Sequence, residues 1–344
     1  MTSIHLPVLL APILNSWLAP LIGNAARGPV TLVDGTFGGG GHALQIAARL
    51  RDGDTLIGID RDPLPIRRFI ESVSAPSDQN PSFSLPSDKP PLHERWMEWS
   101  GILPSGCRLV LANASYCALP EILKELGQSQ VHGILLDLGL SSDQLEDSDR
   151  GFSFRLDAPL DLRFNPTLGI SASQWLLKHS EQEIADAIYQ YGEERFSRRI
   201  ARAIVERNRT APIATSKELA DLIHRAVPGK IHGRVDSATR TFQALRIAVN
   251  RELEHVERAM NELPELLAEG DSSERSGATP SGELAVISFH SLEDRIVKHA
   301  MRDDPRLEVL TKKPLVASES EIDENPRSRS AKLRIARRVR VAAP

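Results

Sequence analysis

The chain has 344 residues, 41% of them apolar and 26% charged, with a formal net charge of −4. That is the balance of a soluble globular protein with enough apolar residues for a sizeable core, and it excludes a chain coated in basic charge for bulk nucleic-acid binding. The two cysteines, Cys107 and Cys117, have no metal-ligand spacing and are too few for a disulfide framework, so they read as reduced thiols of a cytoplasmic protein.

The apolar N-terminal stretch is broken by Pro7, Pro12 and Pro20 and has no basic leading segment, so neither a signal peptide nor a membrane span is expected. The first strand is Val30–Asp34, followed at once by glycines and then by helical apolar spacing over Ala43–Leu50. Thr55–Asp60 is a second buried-type strand ending in an acid, which completes a strand–helix–strand unit of the parallel α/β kind. Residues 71 to 106, rich in Ser and Pro, read as a surface insertion. Strands resume at Cys107–Asn113 and Gly133–Leu138, with a helix over Leu119–Leu126 between them. Three strands therefore end in Asp34, Asp60 and Asp137, and the carboxyl ends of parallel strands are where such sheets bind ligands.

From about 151 to 253 the pattern is helical. One helix is expected over Glu193–Arg209, a second starts at the capping box of Thr215 and Glu218, and a third runs from about Ser237 through His255. A strand then returns at Leu284–Phe289, Ser291 is expected to cap a helix through Met301, and Leu307–Thr311 with Lys332–Arg340 suggest a terminal antiparallel hairpin. The expected domains are 1–150 with 254–344 as one α/β body, and 151–253 as a helical insertion.

The turn Asp34-Gly35-Thr36-Phe37-Gly38-Gly39-Gly40-Gly41-His42 joins a strand to a helix, where glycines permit sharp bends and close ligand approach. Gly38, Gly40 and Ala43 also satisfy the relaxed dinucleotide pattern, so an NAD-dependent oxidoreductase stays open at this point. The spacing Asp34-x-Thr36-x-Gly38-x-Gly40 resembles the first motif of Rossmann-like methyltransferases. Asp60 suits the two ribose hydroxyls of an adenosine cofactor without choosing between the two classes.

Longer motifs follow in order: Ile134-Leu135-Leu136-Asp137-Leu138-Gly139 continuing to Gln144, Arg150-Gly151-Phe152-Ser153-Phe154, Pro159-Leu160-Asp161-Leu162-Arg163 and Tyr191-Gly192-Glu193-Glu194-Arg195-Phe196. Thr239 through Ile247, Val286 through Arg295 and Asn325-Pro326-Arg327-Ser328-Arg329-Ser330 continue the series. With these the chain resembles, over nearly its whole length, the RsmH (MraW) family of bacterial ribosomal RNA methyltransferases.

The resemblance implies a Rossmann-like class I methyltransferase with a mostly parallel sheet, a helical insertion that recognises RNA and a C-terminal antiparallel hairpin. It implies S-adenosylmethionine as cofactor and the N4 amine of a cytidine in the decoding region of small-subunit (16S) rRNA as substrate, with free rRNA or the 30S particle as partner. A homodimer is left open. Family cofactor positions fall on Gly40, Gly41, His42, Asp60, Ala114, Asp137 and Gln144. Ala114 stands where the family carries an aromatic ring, and Tyr116 is the nearest substitute. The family's His-Pro-Ala-Thr-Arg run is Asp236-Ser237-Ala238-Thr239-Arg240 here. The missing ring is the feature that keeps a non-catalytic RNA-binding assembly factor as an alternative.

Asp137 is the candidate acceptor for the amine hydrogens, and His290, between a strand and a helix, is a second candidate near the substrate. Arg195, Arg198, Arg199 and Arg202 lie beside one apolar helix face, a pattern usually meaning solvated charge, with Arg195 and Arg199 carried as RNA contacts. On a strand Lys332, Arg334, Arg338 and Arg340 share a face, a row expected to meet phosphate.

Overall fold

The computed structural model describes residues 7–74, 99–141, 144–145, 147–155, 157–227, 236–270 and 280–341. The chain divides into two compact units, Met1–Gly139 with His255–Pro344, and Leu140–Glu254. The change of unit falls at Gly139, ahead of the expected position near Arg150.

The first unit is built on an eight-stranded sheet of order β3-β4-β2-β1-β5-β6-β8-β7. The strands are β1 (Thr31–Asp34), β2 (Thr55–Asp60), β3 (Trp99–Ile102), β4 (Arg108–Asn113), β5 (Gly133–Asp137), β6 (Glu283–Ser288), β7 (Leu307–Val309) and β8 (Lys332–Arg338). β4, β2, β1, β5 and β6 are parallel; β3 on β4, and β8 on both β6 and β7, are antiparallel. Winding runs outward one way from β1 to β2 and β4, and the other way to β5 and β6. The direction therefore reverses at β1, which places a ligand crevice beyond the carboxyl ends of β1, β2 and β5.

The central strands are buried along nearly their whole length. This is why they read as unbroken apolar runs rather than alternating ones. One face packs on Trp17, Leu18, Ile46 and Ile66, the other on Ile122, Leu263, Val297 and Met301. The N-terminal apolar stretch supplies part of the first layer: a π-helical segment, Ile13–Leu18, places Trp17 under the sheet, where its indole N–H donates to the Glu283 carbonyl (3.3 Å).

One expectation needs correction here. Residues 71–106 are not wholly a surface insertion, because the helix Pro63–Ser74 enters them and Trp99–Ile102 is an edge strand paired with β4; their middle, 75–98, lies outside the described residues. The expected terminal antiparallel pair does close one edge of the sheet: β7 is the outer strand, and β8 is buried between β6 and β7.

The second unit is helical. Its helices Ala172–Lys178, Glu181–Gly192 and Ser216–Ala226 each begin with a reciprocal capping box, Ser171 with Gln174, Ser180 with Glu183 and Thr215 with Glu218. Asp236, which replaces the family histidine, caps Ser237–Asn250 by accepting the Ala238 N–H (2.8 Å), so the altered run keeps its helix start. The sequence motifs of this unit are internal braces. Asn250 accepts the Phe164 N–H (2.7 Å) and donates to the Leu162 carbonyl (2.7 Å), and Arg150 donates to the carbonyls of Arg163 and Phe164. Buried Glu194 accepts the Phe196 N–H and lies 3.7 Å from Arg240.

Candidate functional site

The glycine turn is held by its neighbours on three sides. The Gly35 N–H donates to the Leu135 carbonyl and the Phe37 N–H to the Ile59 carbonyl (both 2.8 Å), while the Asp137 N–H donates to Thr36 Oγ1 (2.6 Å). Thr36 thus ties the turn to the end of β5, a role the spacing alone did not reveal. The turn admits no side chain at Gly35, where an added Cβ would come 2.5 Å from Leu136 Cδ2. Gly40, at φ +81°, occupies the left-handed conformation that glycine adopts without penalty.

Three carboxylates meet at the strand ends. Asp34 is 1% exposed; its Oδ1 accepts the Thr36 N–H (3.1 Å), and its Oδ2 has no hydrogen-bond partner among the described residues. Asp60 accepts the N–H groups of Gly38 (2.6 Å) and Asp62 (2.8 Å), so it fixes the turn while keeping spare lone pairs for ligand hydroxyls. Asn113, at the end of β4, donates to the Asp60 carbonyl (2.9 Å) and the Arg61 carbonyl (3.2 Å), a brace that sequence reading did not single out. Asp137 Oδ1 is a second buried oxygen without a hydrogen-bond partner among the described residues. Burial pushes Asp34 and Asp60 up to about 6 and Asp137 to about 7.

His42 sharpens the picture. Its Nε2 lies 2.9 Å from the Val8 carbonyl, which can only accept, so Nε2 carries the proton. Burial lowers the pKa of the ring and favours its neutral form, leaving a lone pair on Nδ1 that faces Asp137 Oδ2 at 3.6 Å. Two acceptors face each other there, an arrangement that suits a donor or a cation bound beside them. Unpartnered buried acceptors beside a glycine cradle fit a ligand carrying positive charge and N–H groups.

The remaining candidates are dispersed. Ala114 is buried and donates its N–H to the Asp60 carbonyl (2.8 Å), whereas the Tyr116 Cβ would lie 3.0 Å from a Cβ added at Gly35 and its ring stands edge-on to His255. Gln144 belongs to the helical unit, where its Oε1 accepts the Ser141 N–H and its own N–H donates to Ser141 Oγ. His290, not Ser291, caps the helix Ser291–Asp303. Its Nδ1 accepts the Glu293 N–H (3.4 Å), and its Nε2 lies 3.1 Å from Glu293 Oε1. Both ring nitrogens are thereby turned to one helix end.

The basic row on β8 is largely paired with carboxylates of its own unit. Arg334, 7% exposed in its side chain, donates to Asp294 (2.7 Å), and Lys332 donates to the same carboxylate (3.1 Å). Arg338 donates to the Pro264 carbonyl (3.2 Å) and contacts Glu265 and Glu269. Asp294, Glu265 and Glu269 thus neutralise Arg334 and Arg338 inside the unit. In the helical unit Arg195, Arg198, Arg199 and Arg202 are exposed, with Arg195 lying over the Phe196 ring and Arg202 paired to Glu181.

A doubly wound sheet, a glycine turn and acids on its three central strand ends define a Rossmann-like methyltransferase fold. Residues 101–339 match the MraW methylase family. The ribosomal RNA small subunit methyltransferase H of Rhodopirellula baltica is 47% identical over 90% of this chain and 86% of its own length. Its namesakes in Synechococcus elongatus (43% identical; 89% and 88%) and Acidobacterium capsulatum (40%; 96% and 97%) align similarly. The chain belongs to the MraW methylase family.

Proposed function

We propose that this chain transfers a methyl group from S-adenosylmethionine to the exocyclic N4 amine of a cytidine in the decoding region of small-subunit rRNA. The observation that carries the reading is the pair of buried, unpartnered carboxylate oxygens, Asp34 Oδ2 and Asp137 Oδ1, beside the glycine cradle. When bound, S-adenosylmethionine supplies a methyl already activated on a cationic sulfonium. The protein's share is then chiefly positioning.

Gly40, Gly41 and His42 form the wall against which the cofactor lies, Asp60 accepts the ribose hydroxyls, and Asp34 and Asp137 receive its cationic amino-acid end. Tyr116, whose Cβ would lie 3.0 Å from a Cβ added at Gly35, stands in for the ring absent at Ala114. Asp137, at about 7, can also accept a hydrogen of the cytosine amine, localise its lone pair and take the proton that the methylated nitrogen releases. His290 serves this chemistry by capping the helix after β6 rather than by touching the base. The helical unit contributes Arg195 and Arg199 to phosphate, and the target base must leave any stack to react.

The test is methylation of 30S particles that lack the modification, read by nucleoside mass spectrometry. The expected product is N4-methylcytidine; a methyl on another atom or base overturns the substrate, and failure to bind S-adenosylmethionine at millimolar concentration overturns the enzyme.

A further inference from the structure

The N-terminal stretch meets the glycine turn's His42 at Val8 and Leu9, both buried, Leu9 fully so. The carbonyl of Val8 and the N–H of Leu9 belong to one peptide group, and in a trans peptide they point in opposite directions. Each is gripped by a side chain. His42 Nε2 donates to the carbonyl (2.9 Å), and the N–H donates to Glu321 Oε1 (2.6 Å), 312 positions away in the chain. Glu321 lies on the short helix Glu319–Glu324, whose cap Ser318 accepts the Glu321 N–H (3.2 Å). Leu9 stands at φ 54°, a left-handed conformation that a leucine rarely adopts, so this peptide has to be held in place by its partners.

We propose that Glu321 is a positioning residue of the cofactor site: by holding the Val8–Leu9 peptide it sets the tautomer of His42, and so keeps Nδ1 open as an acceptor for the ammonium of the cofactor's amino-acid end. The inference rests on the reading of the site as one for S-adenosylmethionine.

A neutral imidazole carries its one N–H on either nitrogen. With the proton on Nε2, His42 Nδ1 and Asp137 Oδ2 are both acceptors, 3.6 Å apart, and the N–H groups of a ligand can satisfy both. With the proton on Nδ1, His42 would donate to Asp137 instead. The pair would then be closed on itself, and a ligand would have to break it. The Val8 carbonyl decides between the two forms because it can only accept. A carboxylate bonded to the N–H of a peptide also polarises that group and strengthens its carbonyl as an acceptor. Glu321 therefore fixes where the Val8 carbonyl stands and makes it the better partner for Nε2. Burial holds the ring neutral against the opposing charges of Asp34 and Glu321, so the ring keeps a choice of tautomer for this contact to settle.

The test is nitrogen-15 NMR of the His42 ring, assigned by the signals missing from His42→Gln, alongside calorimetric binding of S-adenosylmethionine. Both are measured at about pH 8, where the ring is neutral and Asp137 ionised, on wild type, Glu321→Ala and Glu321→Gln. Ligand-free wild type is expected to show a protonated Nε2 and a bare Nδ1. Glu321→Ala should move the proton towards Nδ1 and weaken cofactor binding about tenfold. Glu321→Gln, whose amide oxygen can still accept the Leu9 N–H, should keep most of both. A Glu321→Ala protein that loses thermal stability with tautomer and affinity unchanged would make the contact a structural staple and overturn the proposal, as would weaker binding with no change of tautomer. A wild-type ring protonated on Nδ1 overturns it outright. If Glu321→Ala fails to fold, Glu321→Asp, one methylene shorter, is expected to shift tautomer and affinity the same way by less, and no shift in either overturns the proposal. A wild type that does not bind S-adenosylmethionine refutes the reading of the site itself, a separate result.

Discussion

Asp34, Asp60 and Asp137 share one electrostatic condition: burial raises each from an ordinary 3.8 to about 6, 6 and 7 respectively. A buried acid with a raised pKa favours the folded state while protonated. That contribution is complete below about pH 4 and is lost as pH rises through 6 and 7. The same ionisation creates the negative charge that a cationic ligand needs. Between pH 5.5 and 8 the ligand-free protein is therefore expected to lose thermal stability while its affinity for S-adenosylmethionine rises about tenfold or more. Calorimetry across that window measures both, and a flat affinity profile would show that these acids do not receive the cofactor. The three acids were legible in the sequence as the last residues of apolar runs. The state of His42 was not, since it depends on Val8, which lies 34 positions away in the chain.

At the scale of elements, β8 shows how a correct strand can carry a wrong surface. Its period-2 pattern places Lys332, Arg334 and Arg338 on one face, but it cannot show that Asp294 and the helix Glu252–Leu266 supply carboxylates to that face. Arg334→Ala leaves Asp294 with Lys332 as its remaining charged partner and is expected to cost about 2–4 kcal/mol of stability. It should leave the salt dependence of RNA binding unchanged. Denaturant unfolding alongside a salt titration checks this, and a stable variant with a reduced salt slope would return Arg334 to the RNA surface. Helix boundaries show a related limit. Periodicity runs through Glu193 and Arg251, yet both adopt left-handed backbone (φ 50° and 51°) and break the helices there. A single αL residue leaves no trace in a hydrophobic repeat, whereas the capping box at Thr215 does, because its two partners are three residues apart.

For the whole molecule, a net charge of −4 repels RNA on average, so binding must come from a local patch. With much of the β8 row neutralised, the exposed arginines of the helical unit are the surface best suited to that role. Replacing Arg195 and Arg199 together by alanine is expected to raise the KM for 30S particles without changing cofactor affinity. The log–log salt slope should fall by roughly 0.7 to 0.9 for each phosphate that the double variant no longer neutralises. An unchanged slope would remove these residues from the interface. None of the helices among the described residues is long and apolar enough to cross a membrane.

The sequence by itself determined the parallel strands, the glycine turn, the strand-end acids and the capped helices, because each is written in residues close together in the chain. Only the tertiary structure decided which charges remain available. Arg334 and Asp294 are 40 positions apart, and Glu265 and Arg338 are 73 apart. An ion pair cancels a charge only where the fold brings its partner within reach, and no local pattern records that meeting. The same folding left Asp34 Oδ2 and Asp137 Oδ1 without hydrogen-bond partners among the described residues, the feature on which the reading of the site rests.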